Sequence, residues 1–344
     1  MNANPRTLRR LALLTASTLA VLASPAATRA QIPELSDRPP EFIPPPLHPA
    51  GTRLETRRLA EGVYALVSNQ NGVDNSGFVV GERGALVVDA HINAEMARQI
   101  QAAVRAVTDK PILYLVNTNY HGDHTFGNYA FPAETRIVAH RATAVRMREF
   151  EAEKEFLLAT VNGDRSVYAD ARLRLPDMVF DDSMRLDLGG RVVELHHFGP
   201  GNTPGDAVVY IREARVAWTG NLVLGIGMPF LIEGGAKAYF ATIERFANAL
   251  DVETIVPGHG PIVPSGILDA YRSYLTGLVA LISQRAEPES SLEAALAAFP
   301  LPDAYIPADV SGDTRAFIEG LHVFNVWRTL AETGTDQVAG AGGS

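Results

Sequence analysis

An apolar run from Pro111 to Val116 gives way to Asn117, Thr118 and Asn119, and then His121, Asp123 and His124 fall within four residues around Gly122. Imidazole nitrogen and carboxylate oxygen are the ligands that zinc takes in a tetrahedral shell. A short apolar run ending in a polar, glycine-containing loop reads as a buried strand with chemistry at its tip. One histidine in such a loop would pass for a strand cap. Two histidines and an aspartate together point instead to a metal site. The chain has no cysteine, so any metal must sit on His, Asp, Glu or an amide oxygen.

The elements that must position these residues can be read around them. Val63–Val67, Gly77–Gly81 and Ala85–Asp89 read as strands, with Gly81 and Gly84 turning a hairpin. Asn93 caps a helix over about Ala94 to Val107, and the strand carrying the histidines follows. Arg136–Ala139 reads as a strand and about Arg141 to Thr160 as one charged helix. Strands resume at Met178–Phe180, Met184–Leu188 and Arg191–Leu195, ending at His196 and His197, which read as packing residues. Hairpin strands Val208–Ile211 and Arg215–Trp218 end at Thr219-Gly220-Asn221. A helix over about Ala238 to Leu250 leads to Thr254-Ile-Val-Pro-Gly-His259-Gly260. Helices near Gly266–Ser283, Leu292–Ala298 and Asp313–Ala331 complete the pattern, and 334–344 reads as a disordered tail.

Residues 1–30 stand apart: Arg6, Arg9 and Arg10, an apolar stretch from Leu11 to Ala23, then small residues to Ala30. That is the layout of an export signal, too short in its apolar part to span a bilayer. Periplasmic or secreted localisation follows, with no membrane span after processing. Removing this segment takes away four arginines and no acid, leaving 26 basic against 39 acidic residues, a formal charge of −13. Such a surface repels nucleic acid. Residues 31–52 form a proline-rich extended arm that could wrap the domain or reach a partner in a homodimer. His48 reads as a loop residue. A domain over 53–333 then carries the chemistry.

The segment Thr118 to His124 resembles the histidine motif of the metallo-β-lactamase superfamily, Thr-His-x-His-x-Asp-His, with Asn119 in place of the first histidine. Gly201-Asn202-Thr203-Pro204-Gly205 resembles that family's Gly-His-Thr-Pro-Gly, with Asn202 for histidine. Gly220-Asn221 stands where its Gly-Asp stands, and Val256-Pro257-Gly258-His259-Gly260 matches the last motif intact. The resemblance covers about Leu54 to Pro264. It implies an α/β fold of the αββα sandwich type, and Asp89 orienting a metal-bound histidine.

In this resemblance one ligand set, Asn119, His121 and Asn202, has lost two imidazoles. The other, Asp123, His124 and His259, is complete. The expectation is one zinc per chain on Asp123, His124, His259 and the Asn221 oxygen, with zinc-bound hydroxide as nucleophile, His121 and Asp123 as catalytic residues, and Asn119 and Asn202 offering amide donors to substrate. The pattern is similar to that of chlorothalonil-type hydrolytic dehalogenases of the superfamily, which exchange an aromatic chlorine for hydroxyl. Tyr120, Phe126, Met228 and Phe230 are candidates to line an apolar pocket for a small-molecule substrate. Two other readings stand beside this one: a lactone, ester or β-lactam hydrolase, and a non-catalytic binding protein that has kept the fold. Carbapenem hydrolysis fits poorly, because the single-zinc β-lactamases with asparagine at the Asn119 position use a cysteine ligand.

Overall fold

The computed structural model describes residues 39–284, 291–306 and 312–340. The expected export signal, the first part of the arm and residues 341–344 lie outside the described residues.

Two mixed sheets lie at the centre. The first keeps sequence order: β1 (Leu54–Ala60), β2 (Val63–Ser68), β3 (Ser76–Val80), β4 (Ala85–Val88), β5 (Ile112–Asn117), β6 (Arg136–His140) and β7 (Met178–Phe180). Its first four strands are antiparallel and β4 to β7 are parallel. The second contains β8 (Ser183–Asp187), β9 (Val192–His196), β10 (Val208–Ile211), β11 (Val216–Gly220), β12 (Thr254–Pro257) and β13 (Val263–Pro264), side by side in that order. Only β11 and β12 run parallel in it. The helices are α1 (Ala94–Val107), α2 (Gly122–Thr125), α3 (Arg141–Arg146), α4 (Phe150–Leu157), α5 (Ala236–Ala249), α6 (Ile267–Gln284), α7 (Leu292–Ala298) and α8 (Gly312–Gly340).

Strand periodicity explains the layering. Val63, Ala65, Val67, Val79, Leu86, Val88, Val116 and Val138 share one face and pack against Leu195, Val209, Ile211, Trp218 and Val256 of the second sheet. The alternate residues Leu66, Phe78, Val87, Leu115 and Ile137 meet Ala97, Ile100 and Val104 of α1. The outer face of the second sheet, with Val208, Tyr210, Ala217 and Ile255, is covered by α5, α6 and α8 through Tyr239, Phe246, Tyr271 and Leu321. Strands buried on both faces read as unbroken apolar runs, which is why their boundaries are visible in sequence. The expected αββα sandwich is the fold.

Two stretches depart from the sequence reading. The helix expected over 141–160 is broken: a 3₁₀ turn, Met147–Glu149, separates α3 from α4. At the other end, α8 runs to Gly340, through much of the stretch read as a disordered tail. A lone Gly334 costs a helix only about 1 kcal/mol and need not end it.

The tips of β5, β11 and β12 meet at one edge. Ala207 N–H donates to Thr118 O at 2.7 Å, Gly258 N–H to Gly220 O at 2.8 Å and Asn75 N–H to Gly258 O at 2.7 Å. Gly220 sits at φ +50°, where a Cβ would run into the Thr118 side chain. A Cβ on Gly258 would lie 2.8 Å from Asn221 Oδ1. Only glycines let these tips close around a site.

Candidate metal centre

Asp74, Asp123, His124 and His259 can bring one donor atom each to within 4.8 Å of one another. Each arrives from a different place. Asp123 and His124 lie in α2, directly after the tip of β5. His259 follows β12. Asp74 comes from the loop before β3, and Asn75 ties that loop down by donating from Nδ2 to Pro257 O at 3.0 Å and Gly260 O at 2.8 Å.

Both imidazoles are held with Nε2 facing the centre. His124 Nδ1 bonds Asp89 Oδ2 at 2.9 Å, and Asp89 also accepts from Thr118 N–H and Oγ1–H. His259 Nδ1 bonds Gly72 O at 2.7 Å. An oxygen acceptor at Nδ1 fixes the tautomer that leaves Nε2 free for a metal. His259 Nε2 is 3.2 Å from Asp74 Oδ1 and 3.4 Å from Asp123 Oδ2. Asn221 Oδ1 lies 3.0 Å from His124 Nε2. Two ligands of one tetrahedral ion at about 2.0–2.2 Å sit a little over 3 Å apart, so this spacing suits a shared cation.

The charges suit such an ion. Both Asp74 carboxylate oxygens and Asp123 Oδ1 are buried without a hydrogen-bond partner among the described residues. Burial raises the Asp74 carboxyl well above the usual range, and neighbouring Asp123 adds to it. Burial pushes Asp123 the same way, but His124, His259 and His121 outweigh it and hold that carboxyl well below. Burial alone would lower His124; the carboxylates of Asp123 and Asp89 instead carry it up to about 10. Two buried carboxylates beside two imidazoles are the donor set of a divalent ion of the zinc type.

Sequence reasoning missed Asp74, and with it His91. The His91 ring is fully buried, its Nδ1 lies 3.5 Å from Asp74 Oδ2, and neither ring nitrogen has a hydrogen-bond partner among the described residues. Burial, with His124 nearby, lowers it to about 3. The left-handed backbone at His91, φ +63°, is shared by Asp89 at φ +58°. Side chains of both therefore turn inward from the strand end.

His121 stands beside this group. Its Nδ1 bonds Glu153 Oε1 at 3.0 Å, its ring stacks on Phe156, and its Nε2 is buried without a partner among the described residues. Glu153, from α4, also accepts from Gly122 N–H at 3.1 Å. The break before α4 thus belongs to a helix that delivers a buried carboxylate to His121.

The other two asparagines are hydrogen-bonded within the chain. Asn119 Oδ1 accepts from His121 N–H at 2.9 Å, and its Nδ2 is 3.4 Å from Thr118 Oγ1. Asn202 Nδ2 donates to Phe230 O at 2.8 Å, and its backbone carbonyl accepts from Glu233 N–H. Neither is among the residues lining the cavity over the metal centre, and Asn202 Oδ1 is buried without a partner among the described residues. His196 and His197 pack as expected: His196 lies against Glu194 and Phe198, and His197 stacks on His140 at 3.9 Å.

That cavity, of about 1550 Å³, opens over Asp123, His121, Asn221 and His259. Of the four apolar candidates only Phe230 lines it; Tyr120, Phe126 and Met228 are buried elsewhere in the core. Tyr120 instead donates its hydroxyl to Glu233, which also pairs with Arg146 at 3.0 Å. No lysine or arginine is among the described residues that line the cavity.

The fold and the buried His/Asp group define a metal-dependent hydrolase architecture of the αββα type. The sequence profile of the metallo-beta-lactamase superfamily matches residues 71–259. This chain belongs to that superfamily. It is 24% identical over 213 residues to a linear primary-alkylsulfatase from Pseudomonas sp. (strain ATCC 19151), a match covering 52% of this chain and 39% of the alkylsulfatase. Among solved structures it resembles a metallo-beta-lactamase from Pontibacter korlensis (TM-score 0.55, 20% identity, 65% of this chain and 99% of that one). It also resembles one from Erythrobacter litoralis (TM-score 0.52, 20% identity, 65% and 96%). These likenesses establish the fold.

Proposed function

We propose that this protein is an exported, mono-zinc hydrolase acting on an electron-poor carbon of an uncharged small molecule, and that it replaces an aromatic chlorine by hydroxyl. One observation carries the reading: Asp123 and His259 of the donor group, with Asn221, face a largely apolar cavity whose described lining has no lysine or arginine. An anionic substrate such as a sulfate ester would call for lysine or arginine there.

When bound, a zinc ion supplies Lewis acidity and makes water a nucleophile at neutral pH. Asp123, His124 and His259 would hold it, together with Asp74 or the Asn221 oxygen. In the exchange a C–O bond forms as the C–Cl bond breaks, chloride leaves and one proton is released. His121 lines the same cavity as Asp123, its Nε2 has no partner among the described residues and can take that proton, while Glu153 fixes the ring from Nδ1.

Chloride release from chlorothalonil by the purified mature chain, with and without chelator, tests this directly. Chelator-sensitive release is the expected result, together with about one zinc per chain. Release that ignores the chelator would sink the metal mechanism. No release from zinc-loaded protein would favour the second reading, ester or lactone hydrolysis. That reading has an observation of its own, since the cavity exceeds the roughly 300–1,000 Å³ of ordinary ligand sites and is far larger than one substituted ring requires.

A further inference from the structure

We infer that the substrate carries an extended, uncharged alkyl or similarly apolar group, and that the proline-rich arm forms the wall against which this group lies. The inference rests on the proposed hydrolase reading for the reacting end of the molecule and concerns its other end.

The arm is fixed at both ends of the segment that faces the cavity. Phe42 is buried, its ring 4.6 Å from that of Phe324 and 5.5 Å from Phe230. Leu47 is buried too, and its N–H donates to Thr160 O at 2.9 Å. Between these anchors run Ile43, Pro44, Pro45 and Pro46, all lining the cavity. Three successive prolines have no N–H and little backbone freedom, so this wall offers a guest no donor and needs no ordering on binding. The same arm abuts the metal centre, because Pro46 packs on Gly72, whose carbonyl holds His259. The wall is therefore continuous with the floor where the chemistry would occur.

The remaining lining supports the same guest. Ile267 and Ala270 of α6, Phe317 of α8, and Tyr305 face the cavity, and the Tyr305 hydroxyl already donates to Ala270 O at 2.7 Å. Ile43 is 50% exposed although it is a large aliphatic residue in a wall. Away from the metal centre, the charged group in the described lining is Asp313, which is exposed, so that end of the cavity offers an anionic terminus no partner. Size, apolarity and sign together select a long neutral molecule over a long anionic one.

Binding can be measured apart from turnover. On zinc-loaded protein, displacement of the neutral dye Nile red by n-alcohols from butanol to decanol should tighten roughly threefold to fourfold per methylene. With the metal removed by chelator, so that its carboxylate has no ion to bind, sodium decanoate should displace the dye at least tenfold more weakly than decanol. Because Ile43 is exposed, Ile43→Lys should leave the fold intact, weaken decanol about tenfold and improve decanoate. A flat dependence on chain length, equal displacement by decanol and decanoate, or dye binding that strengthens with protein concentration because a second copy completes the wall, would each overturn the inference. The two readings fail separately. Chelator-sensitive chloride release with a flat chain-length dependence would overturn the alkyl-binding wall and leave the hydrolase standing. A steep chain-length dependence, with no hydrolysis of any aryl chloride or ester, would support the wall and overturn the hydrolase.

Discussion

At the scale of single residues, the donor group depends on what stands behind it. Asp74 joins two imidazoles and Asp123 in a buried space, and His91 borders Asp74 through its other carboxylate oxygen. Groups that hold a metal ligand from behind typically change affinity by about 10–100-fold when altered. His91→Gln should therefore weaken zinc by that factor in competition with a chromophoric chelator, and Asp74→Asn by at least as much. Unchanged affinity in Asp74→Asn would remove Asp74 from the ligand set. Glu153→Gln should act differently, keeping zinc while slowing turnover about tenfold or more, because its amide oxygen can still accept from Gly122 N–H while the histidine proposed to take the proton loses its carboxylate partner. Asp123, His124 and His259 were legible because each follows an apolar run that ends among glycines. Asp74 was not. It lies in a loop of Asn, Gln, Gly and Asp that reads as ordinary turn chemistry, and only the pairing of Asn75 with residues over 180 positions away brings it to the site.

Among the elements, the short α3 begins from a histidine. His140 is its N-cap, with Nδ1 accepting from Ala142 N–H at 3.2 Å, and its ring stacks on His197. Accepting at Nδ1 requires an unprotonated nitrogen. Burial, then the neighbouring His197, lowers His140 to about 4; Asp181 pulls the other way and Arg141 assists the lowering. Between pH 6.5 and 4 the unfolded chain therefore binds more protons at this position than the folded one does. The stability His140 contributes is complete above about pH 6.5 and is lost as pH falls towards 4, on the order of 2 kcal/mol after allowing for partial solvent access. His140→Asn keeps a good cap without a titrating ring. Its urea midpoint should fall less than the parent's between about pH 7.5 and 4.5, and parallel curves would exclude the effect. The break between α3 and α4 could not be foreseen, because propensity in Arg141 to Thr160 favours helix throughout. What re-aims α4 is burial of Glu153 and Phe156 against His121, a tertiary contact without a local signal.

For the whole molecule, the two sheets were legible because their runs are buried on both faces and are punctuated by glycine. The arm was legible only as extended, since nothing in a run of prolines says which surface it will cover. Its place in the structure follows from Phe42, which enters the core shared by α8 and the loop before α5, while Gly320 lets the chain pass close by at Glu41 O. Removing this ring should destabilise the fold by about 3–5 kcal/mol, as deletion of a buried aromatic side chain usually does. Phe42→Ala is thus expected to lower the melting temperature by several degrees. The metal donors lie on strand tips tied to one another by backbone hydrogen bonds, so the zinc content of the variant should stay at the parent level. Binding of decanol should nevertheless weaken, because Ile43 and the prolines lose their anchor on that side. Calorimetry, metal analysis and dye displacement on one preparation separate these effects. If stability falls while decanol binding is untouched, the arm is a structural brace and not a wall of the substrate site; if zinc is lost as well, arm and metal centre form one cooperative unit through Pro46, Gly72 and His259.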